Sequence, residues 1–135
     1  PLDDAVAVEV RAGAADGRRG AGVGVAVEVG EAGAALTIEE LDAGVAYYGA
    51  QPDASAVPRI NARMMLHYGG LDERINAGIP GYRAALEAAR IDHQIFVYEG
   101  ANHAFNNDTS AARYSKVASD LAWSRTIGLF REALA

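Results

Sequence analysis

Cysteine is absent from this chain of 135 residues. That excludes disulfides, thiolate metal sites and a cysteine nucleophile. Lysine is almost absent too: Lys116 stands alone, the arginines are scattered, and the formal net charge is −6. A nucleic-acid-binding face, which needs clustered cations, is therefore not expected. No apolar run is long enough to span a bilayer, and no cationic-then-apolar leader opens the sequence. The cytoplasm is the default location. Only three histidines are present, with no His-Glu-x-x-His and no close pair. A metal site is not expected. The first residue is Pro1 rather than methionine, as in a processed product or a fragment.

A further absence is local. Pro1 to Ala35 holds no aromatic residue and no Ser, Thr, Asn, Gln or Ile. Such a stretch supplies little side-chain volume for a core. Within it "GVGVAVEVG" (22–30) alternates enough for one strand. Gly20, Gly22 and Gly24 suggest a dinucleotide-binding turn, but Val27 holds the last position of G-x-G-x-x-G and the motif fails. The chain therefore divides into residues 1–40, a low-complexity Ala/Gly/Val-rich segment, and residues 41–135, which carry the fold.

The second part has the ordinary ingredients of a soluble domain. Over the whole chain, half of the residues are hydrophobic and 22% are charged, enough for one domain with a core. "AGVAYYGA" (43–50), "RMMLHYGG" (63–70) and "HQIFVYEG" (93–100) read as buried strands. "IPGYRAALEAAR" (79–90) reads as a helix with Pro80 at its start and Tyr82, Ala85, Leu86 and Ala89 on one face. A long helix closes the chain from Asp108, with Asp108, Thr109 and Ser110 as N-cap candidates. Its large apolar residues, Tyr114, Val117, Leu121, Trp123, Ile127 and Phe130, keep helical spacing, and Trp123 reads as core. Strands alternating with amphipathic helices imply an α/β fold with a mostly parallel sheet.

In such sheets functional groups collect beyond the carboxyl ends of the strands. Asp72 follows the second of these strands directly, in "GGLDERI". His103 follows the third, in "GANHAF". An acid and then a histidine one β-α unit later is the order that follows the nucleophile in α/β-hydrolases. There the histidine takes the nucleophile's proton and the acid fixes its tautomer. Plainer readings exist for both: Asp72 as a turn-former or helix cap, His103 as an exposed loop residue. His67 lies inside a strand and reads as packed, whereas His93 reads as exposed. Tyr47 and Tyr48 face opposite sides, and one of them can line a pocket at the strand end.

The words "AGVAYYGA", "LHYGGLDERINAGIPGY", "VYEGANHAFNND" and "ARYSKVASDLAWSRTIGLF" occur in the order of the C-terminal half of the dienelactone hydrolase family, which residues 41–135 resemble. The resemblance implies an α/β-hydrolase fold, Asp72 as triad acid, His103 as triad base and Tyr47 in the substrate pocket. It implies hydrolysis of a small-molecule ester or lactone through a Cys or Ser nucleophile, with no cofactor. The sequence departs from the family in two places. The nucleophile elbow, G-x-C-x-G or G-x-S-x-G, has no counterpart in "GVGVAVEVGEAG", and Ser55, Ser110, Ser115, Ser119 and Ser124 all lie outside such a context. Asn107 stands where members that cleave dienelactone carry an arginine, four residues after the histidine.

Two expectations follow. Residues before about Glu40 differ so abruptly in composition that they read as unrelated to the family, as an out-of-frame stretch would. The chain is then an ester or lactone hydrolase lacking its nucleophile, or alternatively a non-catalytic half-domain or pseudoenzyme. A half-domain would bind ligand or self-associate through an exposed sheet edge.

Overall fold

The computed structural model describes residues 8–11, 24–29 and 41–134. Gly20 and Gly22, of the rejected dinucleotide-binding motif, lie outside them. Five strands form one sheet in sequential order: β1 (Val8–Arg11), β2 (Gly24–Val29), β3 (Leu41–Tyr47), β4 (Arg63–Gly69) and β5 (His93–Tyr98). β1 runs antiparallel to β2, and β2 to β5 are parallel. The strand expected over 22–30 is thus present as β2, while β1 was not foreseen. A 3-10 turn (Ala54–Arg59) joins β3 to β4. Two helices, α1 (Glu73–Asn76) and α2 (Ile79–Ala88), return from β4 to β5. α3 (Lys116–Leu134) follows β5.

β4 is the apolar run "RMMLHYG", buried from its second residue to its last. A parallel strand covered on both faces needs such a run, because no side of it meets water. Its alternate residues feed two cores. Met64, Leu66 and Tyr68 pack with Val57, Tyr82 and Leu86 beneath α2. Met65 packs with Val45, Tyr47, Phe105, Ala122 and Leu129 beneath α3. Leu66 and Leu86 are fully buried, each contributing about 1.5–3 kcal/mol of transfer free energy.

α2 forms as expected, with Pro80 in its first turn and Ile79, Tyr82 and Leu86 turned inward. α3 departs from expectation twice. It starts at Lys116 rather than Asp108, because the intervening residues are held in turns. The Asn107 side chain accepts from the Thr109 N–H and hydroxyl, and the Ser115 N–H donates to the Phe105 carbonyl. Ser115 then accepts from the Ala118 N–H through Oγ, filling the capping role assigned to Asp108, Thr109 or Ser110.

The second departure is the face that α3 buries. Trp123 is 52% exposed, Leu121 44% and Val117 81%, while Ala118, Ala122, Thr126 and Leu129 are buried. Trp123 is therefore a surface residue and not core. Small residues turned to the sheet let the helix lie close to it. A polar seam fixes that choice: His67, 0% exposed in β4, bonds to Thr126 of α3 and Tyr98 of β5. Exposing Thr126 to bury Trp123 would break these bonds inside the core, and an unsatisfied buried polar group costs about 1–3 kcal/mol.

Candidate functional site

The site is built where β4 and β5 end. Gly69 closes β4, and Gly70 follows it. A Cβ on Gly69 would lie 2.5 Å from the Asn102 carbonyl oxygen, and one on Gly70 would lie 2.8 Å from that of Tyr98. Only glycine lets the two loops approach so closely. Their backbones then join directly: the Gly70 N–H donates to Tyr98 O (2.8 Å), and the Leu71 N–H donates to Ala101 O (3.0 Å).

Asp72 is thereby delivered beside His103. Its Oδ2 lies 2.6 Å from His103 Nδ1. Its Oδ1 faces the Ile75 N–H at 3.4 Å, at the start of α1. The cap of α1 and the contact with His103 thus use one carboxylate oxygen each. The carboxylate side chain is 10% exposed and the imidazole 32%. An ionised carboxylate only accepts, so Nδ1–H donates to it, and Nε2 is the ring nitrogen left to take up a proton.

His103 sits on a braced loop. Ala104 beside it has φ 63°, in the left-handed region, and Phe105 is fully buried against Tyr47, Tyr48 and Tyr98. Tyr48 also lies in the left-handed region, at φ 40°, with its ring 5.1 Å from that of His103. Backbone strain of this kind costs about 1–3 kcal/mol per residue and persists where surroundings enforce it. Here the two strained residues flank one imidazole. A cavity of about 640 Å³ opens at the pair, lined by Asp72 and His103 with Leu71, Arg74, Asn102 and Arg113 among its walls. That is ample for a small organic ligand.

Tyr47 is placed elsewhere. It is 1% exposed, and its hydroxyl is bonded to Thr126 in the core beneath α3. Burial pushes its pKa up to about 12. It does not line the cavity, and Tyr48 is the tyrosine against His103. Tyr47 shares with Ala43 and Val45 the face beneath α3, whereas Tyr48 lies just past the end of β3, a boundary that local pattern does not fix. His67 is packed as expected, with its pKa pushed down to about 3 by burial and by Arg125. His93 is half-buried, bonded to the Ile91 carbonyl. Among the described residues, no three His, Cys, Asp or Glu side chains converge as metal ligands, and no helix is long and apolar enough to cross a membrane.

The dienelactone hydrolase family profile matches residues 26–134. The chain belongs to the dienelactone hydrolase family. The family match begins at Ala26, upstream of the boundary drawn at residue 40. A protein of Saccharolobus solfataricus provisionally named a carboxymethylenebutenolidase is 34% identical over 92 residues, covering 67% of this chain and 35% of its own length. A Yersinia pestis protein with the same provisional name is 41% identical over 66 residues, covering 48% of this chain and 24% of its own. The crystal structure of a Klebsiella pneumoniae protein provisionally named a dienelactone hydrolase superposes with TM-score 0.67 at 30% identity, covering 72% of this chain and 45% of that one. A dienelactone hydrolase-like promiscuous phosphotriesterase from metagenomic libraries shares the fold, with TM-score 0.66 at 20% identity and coverage of 73% and 45%. The sheet is therefore part of an α/β-hydrolase fold. The chain spans about a third of the length of one curated relative and a quarter of the other.

Proposed function

We propose that this site is the acid–base half of an ester or lactone hydrolase of the dienelactone hydrolase family. In this reading His103 Nε2 accepts the proton of a nucleophile and later returns it to the leaving group. Asp72 holds the imidazole with Nε2 outward and stabilises the imidazolium. The observation that carries the reading is the 2.6 Å contact between His103 Nδ1 and Asp72 Oδ2 at the mouth of a cavity. Family membership supports acyl transfer as the chemistry. Acyl transfer also needs a nucleophile and oxyanion donors. Among the described residues no serine lines the cavity, and the chain holds no cysteine. The nucleophile then comes from outside the described residues.

A chimera tests this directly. Residues 41–135 are joined behind the preceding portion of the Klebsiella relative, which supplies the rest of the sheet. The expected result is hydrolysis of p-nitrophenyl acetate that His103→Ala reduces by about 10³-fold or more, as loss of a triad member does. A folded chimera whose turnover survives His103→Ala would contradict it. A second reading, a pseudoenzyme that only binds ligand, is favoured by the missing elbow serine or cysteine. It is the outcome if the folded chimera binds ester analogues but turns none over.

A further inference from the structure

Beneath α3 lies a buried polar seam that the acid–base pair does not use. Thr126 Oγ1 lies 2.8 Å from the Ala122 carbonyl, 3.0 Å from the Tyr47 hydroxyl and 3.1 Å from His67 Nε2. His67 Nδ1 lies 2.8 Å from the Tyr98 hydroxyl, and Arg125 Nη1 lies 3.2 Å from the same hydroxyl.

These contacts allow one arrangement of protons. A carbonyl only accepts, so the single Thr126 hydroxyl proton goes to Ala122. Thr126 Oγ1 must then accept from both Tyr47 and His67, which places a proton on His67 Nε2. Burial and the Arg125 cation keep this imidazole neutral, so Nδ1 is bare and accepts from the Tyr98 hydroxyl. The Tyr98 oxygen in turn accepts from Arg125, which can only donate. Donation therefore runs one way: Arg125 to Tyr98, Tyr98 to His67, His67 to Thr126, Thr126 to Ala122. Arg125 is steadied at its head by the face of Phe96, 4.0 Å from the guanidinium carbon.

Tyr98 is the point where this seam meets the site. Its side chain is fastened at the hydroxyl by Arg125 and His67. Its carbonyl accepts from the Gly70 N–H (2.8 Å) and the Ala101 N–H (3.2 Å). Gly70 lies two residues before Asp72, and Ala101 two residues before His103. One residue thus sets the origin of both functional loops. We infer that Tyr98 is a positioning residue for the Asp72–His103 pair, its place fixed by the one-way hydrogen-bond chain from Arg125 through His67 to Thr126. The inference rests on the pair being the functional acid and base.

Two NMR measurements on the whole chain test it. In ¹⁵N-labelled protein, His67 is expected as the neutral Nε2–H tautomer; an Nδ1–H tautomer would overturn the chain. The second readout is the far-downfield proton of His103 Nδ1–H held by Asp72. Tyr98→Phe keeps the ring and removes the hydroxyl, and is expected to broaden this resonance beyond detection or shift it upfield. Tyr47→Phe removes a hydroxyl from the same seam but leaves the Tyr98 carbonyl alone, so it is expected to lower Tm without moving the resonance. An unchanged resonance in folded Tyr98→Phe, or equal displacement in both variants, overturns the positioning role. If Tyr98→Phe does not fold, Arg125→Met, which keeps the Tyr98 hydroxyl and removes its donor, is expected to shift the resonance upfield, and no shift overturns the role. Absence of the resonance in the unsubstituted chain overturns the acid–base reading itself, so the two failures are distinguishable.

Discussion

Single residues decide this site by what they permit. Gly69 lets two loops touch, and a methyl group there meets the Asn102 backbone at 2.5 Å. Gly69→Ala is expected to lower stability by about 1–3 kcal/mol, the usual cost of overpacking, measured by urea denaturation. It is also expected to weaken the His103–Asp72 contact; a variant as stable as the parent would show that the loops need no such closeness. His67 makes a pH prediction. Its folded pKa, about 3, lies below the unfolded value of about 6.5. The folded state therefore binds fewer protons, and the stability tied to neutral His67 is complete above about pH 6.5. It is lost as pH falls from there toward 3, at up to about 1.4 kcal/mol per pH unit. Urea midpoints at pH 7, 5 and 4 check this, and a flat profile would contradict it. The contact of Asp72 with His103 was legible at this scale because type and order were enough: an acid and a histidine, each just beyond a strand. The choice between Tyr47 and Tyr48 was not, because it turns on where β3 ends.

Elements differ in how clearly their sequences announce them. β3, β4 and β5 are continuous apolar runs between turn residues, and α2 has one apolar face with a proline at its start. Both are local signals, and all four elements form within a few residues of where they were expected. α3 shows what local pattern misses. Its Val117, Leu121 and Trp123 point outward, because the sheet beneath it carries a histidine that needs Thr126. The inward face is therefore chosen by a hydrogen bond from another element. Its start is likewise set by Ser115 and the Phe105 carbonyl, 10 residues apart in sequence and invisible to helical periodicity. A paired test follows. Trp123→Ser and Val117→Ser are expected to change stability by no more than about 0.5 kcal/mol, as surface changes do. Ala122→Leu, on the fully buried face, is expected to cost about 1–3 kcal/mol. Comparable losses at all three positions in thermal melts would contradict the assigned face.

At the scale of the whole molecule, part of a family fold and the Asp72–His103 pair are present in a chain that spans less than half of its solved relatives. Fold and chemistry separate here. Strands β3 to β5 bring the Asp72 and His103 loops together, whereas acyl transfer also draws on groups beyond this corner. The chain alone is accordingly expected to hydrolyse p-nitrophenyl acetate at close to the buffer rate, with any excess removed by His103→Ala. Robust turnover that tolerates that substitution would point to a different nucleophile and a different base. The region before residue 41 was the least legible part. Its composition offers little periodicity beyond β2, and the pairing of β1 with β2 depends on partners that a local pattern does not specify. The proposed acid–base role stands on one contact, His103 Nδ1 to Asp72 Oδ2. The direct measurement is the proton NMR spectrum of the chain at low temperature, recorded with Asp72→Asn and His103→Gln alongside. A far-downfield resonance present in the parent and missing from both variants is the predicted result; one that persists in Asp72→Asn would contradict it.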